Sequence, residues 1–448
     1  MEAFDTRLQK RLAGLGLLCG CLAMMLHGLI MVRGDSGLWD TRLLVDPILT
    51  VLSLTFAGCA LLLPKTREAR YHLALALALA AWITFIRYAH VHFFGYEVQG
   101  PGLMFSRYLL LYPLAACCRD EKKQRALKIC GLLTLGVVLW LDGLTVLLLL
   151  DRVPRSMAQD LYWAGARLNV LWHPNVTATM YFMAFTLCIA FCFLTKRKWL
   201  QALLLVLAAV QGGFIAMTHG RITMLAAAAY GAGVLLFGVW KQRGKKLWQG
   251  ALVLLVLVAV LLVGMEGLYK WNNNRLTEQY LSGQREMGEK LFVDENGNIQ
   301  LTGADQKSLG ENMKTLNYRT TIWKYAREGL KDWKLLLFGT VNVAKLLGGI
   351  PHAHNAYLEI LLRWGLPAML AAVAMTVEVL VCGVYVVLTS RDGWKISMAL
   401  MCLAWLPVAM MEKYPFCDNT LGGLFLLAAG YLLTWALEER KNRKASRT

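Results

Sequence analysis

Four short constellations in this 448-residue chain carry side chains able to do chemistry. The densest is Gly349-Ile350-Pro351-His352-Ala353-His354-Asn355, which runs through Ala356-Tyr357-Leu358-Glu359 to Arg363-Trp364-Gly365-Leu366-Pro367. The spacing predicts a helix starting near Asn355. His354 and Asn355 then sit at its N-terminus, whose partial positive charge favours anions. A metal site fits poorly, because two histidines at i and i+2 do not share a helix face and the pattern is not H-E-x-x-H. A helix cap with interfacial polar residues explains the same residues as well as a catalytic site does. The second constellation is the turn Thr218-His219-Gly220-Arg221, and the third is Asn317-Tyr318-Arg319-Thr320-Thr321-Ile322-Trp323. The fourth is His173-Pro174-Asn175, where Pro174 suits a first helical position. Arg107, inside an apolar run, and Arg87, His90 and His92 complete the set. An arginine at a helix end usually snorkels to headgroups. Ionisable residues in membrane spans are nevertheless rare and tend to mark function.

The elements that must position these residues are membrane helices. The chain is 57% apolar and only 17% charged, against roughly 25% charged in a soluble protein. Its apolar runs are long enough for helices rather than barrel strands. Twelve spans are expected, near residues 12–31, 43–63, 71–93, 103–118, 127–150, 174–194, 200–217, 222–240, 247–269, 366–388, 396–411 and 421–437. Alternate connections are basic, from Arg7, Lys10 and Arg11 to the tail Arg440, Lys441, Arg443, Lys444 and Arg447. The positive-inside rule then places both termini in the cytoplasm. The same clusters account for much of the net charge of +18, so nucleic acid is not an expected partner. Nearly all of the 11 cysteines lie in apolar runs, so no disulfide framework is implied. The first apolar run is long enough to span and lacks a clear cleavage site, so no signal peptide is expected.

The expected architecture is an all-α polytopic membrane protein in three parts. Residues 1–269 hold nine spans, 270–353 form one long extracytoplasmic loop, and 354–448 hold an interfacial helix, three spans and a basic tail. Within the loop, residues 290–301 read as a hairpin, with Asn296-Gly297 suited to a two-residue type I′ turn. Asp294, Asn296 and Asn298 begin like a calcium loop, but no Glu follows at the required spacing. Residues 311–333 and, more loosely, 151–172 read as amphipathic.

In this order, the constellations resemble the O-antigen ligase and O-antigen polymerase family of bacterial envelope glycosyltransferases. The turn His219-Gly220-Arg221 matches a Ser-Arg-type turn that opens a span. Arg319-Thr320-Thr321-Ile322-Trp323 matches an Arg-x-x-Ile/Leu-Trp element in a long outer loop. His354-Asn355-Ala356-Tyr357-Leu358 through Gly365 matches a His-Asn-x-x-Leu segment, and His173-Pro174-Asn175 matches an upstream Pro-Asn element. The motifs cover about 172–372. Two departures stand out. Gly220 replaces the usual serine, which removes a hydroxyl, and Pro367 replaces a glycine, which bears on helix packing.

The resemblance implies a fold similar to that of the polyprenyl-phosphate-dependent (GT-C-like) glycosyltransferases. It implies transfer of a glycan from undecaprenyl diphosphate to an acceptor hydroxyl on the outer face of the bacterial plasma membrane, with inversion. It implies neither cofactor nor metal. The partners expected are the lipid-linked glycan, a glycan or lipid acceptor, and membrane lipids. Arg221 and Arg319 are then the diphosphate ligands, because arginine is always charged and bidentate toward phosphate. His354 is the general base, with His352 or Glu359 as its orienter. Arg107, His219, Asn355 and Asn175 are further substrate-binding candidates. Ligases and polymerases differ in the acceptor, with polymerase slightly preferred. The rival classes are a transporter or flippase, which shares the twelve-span topology but shows matching halves and midplane sites, and a scaffolding protein.

Overall fold

The structure, a computed structural model, describes residues 2–33, 42–63, 67–93, 108–116, 124–149, 168, 174–218, 220–239, 267, 292–293, 299–300, 319–348, 352–412 and 420–445. It is mostly helical. The helices are α1 (Glu2–Arg33), α2 (Arg42–Leu62), α3 (Arg67–His92), α4 (Leu111–Ala116), α5 (Gln124–Leu149), α6 (Pro174–Cys192), α7 (Lys198–Met217) and α8 (Arg221–Gly233). A π-helical turn, Val234–Val239, continues α8. After a hairpin of β1 (Phe292–Val293) and β2 (Ile299–Gln300) come α9 (Arg319–Gly329), α10 (Trp333–Phe338), α11 (Val343–Leu346), α12 (Ala356–Thr389), α13 (Gly393–Ala409) and α14 (Thr420–Ala445).

Five of these helices are long and apolar enough to cross a membrane: Ala69–His92, Leu127–Leu147, Asn175–Cys192, Lys198–Met217 and Ala356–Thr389. Shorter apolar stretches occupy Arg11–Leu26, Pro47–Leu62, Arg221–Phe237 and Gly393–Ala409. The twelve expected spans are therefore not reached among the described residues. Of the expected fourth span, residues 108–116 are described, a turn leading into the six-residue α4. The expected ninth span lies almost wholly outside them.

Helix α6 is the pillar of the bundle. It is apolar on every face, so it is stable only when surrounded. Helices α5, α7, α8 and α13 pack around it, and Ala178, Met180, Phe182, Met183, Leu187 and Cys188 are fully buried. The outer helices show the reverse pattern. Leu54, Leu62 and Val381 are more than half exposed, as a lipid-facing surface requires.

The expected helix start near Asn355 is observed. Asn355 has extended backbone and its Oδ1 accepts from Leu358 N at 2.9 Å, which satisfies one orphan donor of the first turn. From there α12 runs 34 residues, broken at Gly365, where φ is 76°. A Cβ on Gly365 would lie 1.9 Å from the Leu337 carbonyl oxygen, and one on Gly339 would lie 2.5 Å from the Arg363 backbone. The two glycines let α10 dock directly on the kink, sealed by Thr340 N donating to Leu362 O at 2.6 Å. Trp82 Nε1 donates to Trp364 O at 2.7 Å, and His90 Nε2 faces the Phe338 carbonyl at 3.0 Å. Pro367 follows the kink in a first turn, where the missing N–H costs nothing. Its departure from the family's glycine is thereby accommodated.

Residues 319–348 form a small peripheral unit with its own core of Ile322, Ala326, Val343 and Leu347, joined by Ala353 and Leu362. Trp323 Nε1 donates to Ala353 O at 3.0 Å. This unit begins within the expected amphipathic stretch. On its exposed face, the hydrogen bond from Lys331 holds the Glu328 carboxyl below the usual carboxylate range. The hairpin is present, but its pairs Phe292–Gln300 and Val293–Ile299 centre on Asn296. An odd number of residues connects the strands, whereas a two-residue Asn296-Gly297 turn needs an even one. The expected type I′ turn is therefore not in register.

Gly365→Ala should unseat α10 from α12 and destabilise the fold by about 2–4 kcal/mol, since both φ and the Leu337 oxygen oppose a Cβ. The measurement is a lower thermal midpoint of the detergent-solubilised protein. Leu370→Ala, at an exposed apolar position of the same helix, is the neutral control.

Candidate active site

Four chain segments that the sequence separates widely meet at one carboxylate. Glu412 follows the C-terminal end of α13, its N–H donating to Val408 O at 2.8 Å. It is only 5% exposed. Asn175 Nδ2, from the first turn of α6, donates to Glu412 Oε1 at 2.7 Å. Arg319 Nη2, from the first residue of α9, donates to the same oxygen at 2.8 Å. His354 Nδ1, from the turn before α12, faces Oε2 at 3.3 Å. An anion this deeply buried is tolerated because charged and polar donors surround it.

Local backbone geometry aims the histidine. His354 has φ 49°, in the left-handed region, where a non-glycine residue carries about 1–2 kcal/mol of strain. Asn355 then returns to extended backbone and caps α12. Its Nδ2 donates to Met410 O at 3.0 Å, which ties the start of α12 to the end of α13. Asn355, expected as a substrate ligand, thus spends its amide on capping and tethering. Glu359 does likewise: Oε2 accepts from Ala353 N at 2.7 Å and Oε1 from Arg363 Nε at 2.5 Å. The acid that contacts His354 is Glu412, not Glu359. The His352 ring stands 6.2 Å from that of His354, centroid to centroid.

Arg221 opens α8 after a compact turn. Thr218 Oγ1 donates to Ile215 O at 2.6 Å and accepts from Gly220 N at 3.2 Å. A Cβ on Gly220 would come within 2.8 Å of the Ala178 Cβ. Close approach of α6 therefore accounts for glycine where the family has serine. Ala178 lies one turn from Asn175, so Arg221 enters at the same end of the bundle. Arg107, His219 and His173 lie outside the described residues.

Sequence reasoning missed Glu412. It was visible as an ionisable residue at the end of an expected span, the same signal that selected the histidines and arginines. It lies well beyond the long loop, and nothing in the sequence reveals that α13 ends against α6, α9 and α12. Among the described residues, no three His, Cys, Asp or Glu side chains group as a metal site.

This carboxylate-oriented imidazole beside a guanidinium suits proton transfer next to an anionic group. Glu412→Ala would strip the anion from Arg319 and His354, at a cost of about 3 kcal/mol for a broken buried pair. Thermal unfolding of the variant in detergent checks this, and an unchanged midpoint would remove the pair's structural role.

No curated protein matches the chain. Residues 203–373 match the family model described as O-antigen ligase. That interval spans Gly220-Arg221, the Arg319 element, and His354 through the kinked start of α12. The similarity to O-antigen ligases therefore rests on residues 203–373, which carry three of the four constellations.

Proposed function

We propose that this protein transfers a glycan from undecaprenyl diphosphate to an acceptor hydroxyl on the outer face of the bacterial plasma membrane, as a surface-polysaccharide polymerase or ligase. The observation that carries the reading is the meeting of His354, Arg319 and Asn175 on Glu412 at one end of the bundle. Five elements supply residues to that end: the starts of α6, α8, α9 and α12, and the end of α13. The alternating basic loops support an outward-facing site, with both termini in the cytoplasm.

The chemistry follows from the roles these side chains can take. Glu412 Oε2 holds the Nδ1 proton of His354, which leaves the Nε2 lone pair to accept the acceptor's hydroxyl proton. The acceptor oxygen then attacks the anomeric carbon of the donor sugar. The bond from that carbon to the diphosphate oxygen breaks, and its electron pair leaves with undecaprenyl diphosphate. Direct displacement inverts the anomeric centre. Arg319 and Arg221 bind the diphosphate as charge develops on it, and Arg107 and His219 complete the donor site. His352, whose ring stands 6.2 Å from that of His354, is a further substrate-binding candidate.

His354→Ala should lower the transfer rate by about 10²–10⁴-fold, the usual contribution of a general base. The assay is glycan transfer by the purified protein in detergent or liposomes, using the lipid-linked donor that accumulates on deletion of the gene. A wild-type rate would show that the base lies elsewhere.

A further inference from the structure

Arg319 serves two interests at once. As a diphosphate ligand it must offer its N–H groups to the donor, yet in the structure it donates to Glu412 Oε1 through Nη2 at 2.8 Å. We propose that Glu412 is a resident counter-anion that competes with the donor's diphosphate for Arg319, so that donor binding is an exchange of one anion for another. This rests on the reading of Arg319 as a diphosphate ligand and adds what that ligand must give up.

Three features make the exchange feasible. The Arg319–Glu412 contact runs through a single guanidinium nitrogen, not the two-pronged fork of the strongest arginine–carboxylate pairs. Arg319 Nε is buried and has no hydrogen-bond partner among the described residues, so part of the fork is unspent. The Arg319 side chain is 20% exposed, against 7% for Glu412, so the cation is the more accessible member.

The carboxylate is also provided for after the exchange. Oε1 retains Asn175 Nδ2 at 2.7 Å, and Oε2 retains His354 Nδ1 at 3.3 Å. With Arg319 drawn to phosphate, the charge of Glu412 acts more strongly on His354. The exchange thereby couples arrival of the donor to support of the base. The nearby Glu359 is bound to Arg363 and the Ala353 N–H.

The test is binding of inorganic diphosphate to the purified full chain in detergent by titration calorimetry. Glu412→Gln keeps the shape and an acceptor oxygen but removes the competing charge. It should bind diphosphate about tenfold more tightly than wild type, the scale of one charge-assisted hydrogen bond. Adding Arg319→Ala should abolish that gain. In the transfer assay the same Glu412→Gln protein should show a lower donor KM together with a lower kcat, a split that loss of packing does not produce. Glu412→Asp, with its carboxylate drawn back by one methylene, should have an affinity between those of wild type and Glu412→Gln. It also serves where the glutamine variant folds poorly. Unchanged or weaker binding by both Glu412 variants, with Arg319→Ala still weakening it, overturns the exchange and leaves Arg319 as a diphosphate ligand. Indifference of diphosphate binding to Arg319→Ala removes the ligand role itself, and the exchange with it.

Discussion

The Glu412 carboxylate is the interaction on which the rest of the site depends. A buried anion in an apolar bundle is costly unless charged donors reach it. Here the donors come from α6, α9 and the turn before α12. Their convergence sets how closely the helix ends approach one another. It also determines that a histidine and an arginine share one carboxylate.

The surrounding packing keeps that convergence rigid. Helix α6 is enclosed by its neighbours, so Asn175 stands on a firmly packed base. Glycines appear where backbone or helix must come close: Gly220 against α6, and Gly339 with Gly365 where α10 meets the kink of α12. The break at Gly365 lets α12 begin beside the peripheral unit and then turn into the bundle. His354, strained at φ 49°, is held between the cap of α12 and the tether to α13. Strain at such a place is sustained because its neighbours are fixed on both sides.

Much of this was legible in the chain. The apolar runs and charge deficit identify membrane helices, since lipid leaves few alternatives. Asn355 as a helix cap and Pro367 as a permitted departure follow from local backbone chemistry. His354, Arg319 and Asn175 belong to the short constellations that resemble the family's motifs, and the structure brings these three together. The order of the motifs pointed to the O-antigen ligase family, which residues 203–373 match. The number of spans is not settled by hydropathy alone, and residues 94–107 and 117–123, which hold both ends of the expected fourth span, lie outside the described residues.

What the sequence determines by itself is local or periodic: which stretches are apolar, where a helix starts, and which side chains could carry a proton or meet a phosphate. Those properties depend on a residue and its near neighbours along the chain. Only the tertiary structure decided that Glu359 turns to Arg363 and the Ala353 N–H while Glu412, 58 positions beyond His354, supplies the carboxylate. It likewise decided the odd-numbered connection of the hairpin and the need for glycine at 220. The reason is physical. Which helix ends touch is set by packing shape and by burial of charge across the whole bundle, and neither leaves a periodic trace in sequence.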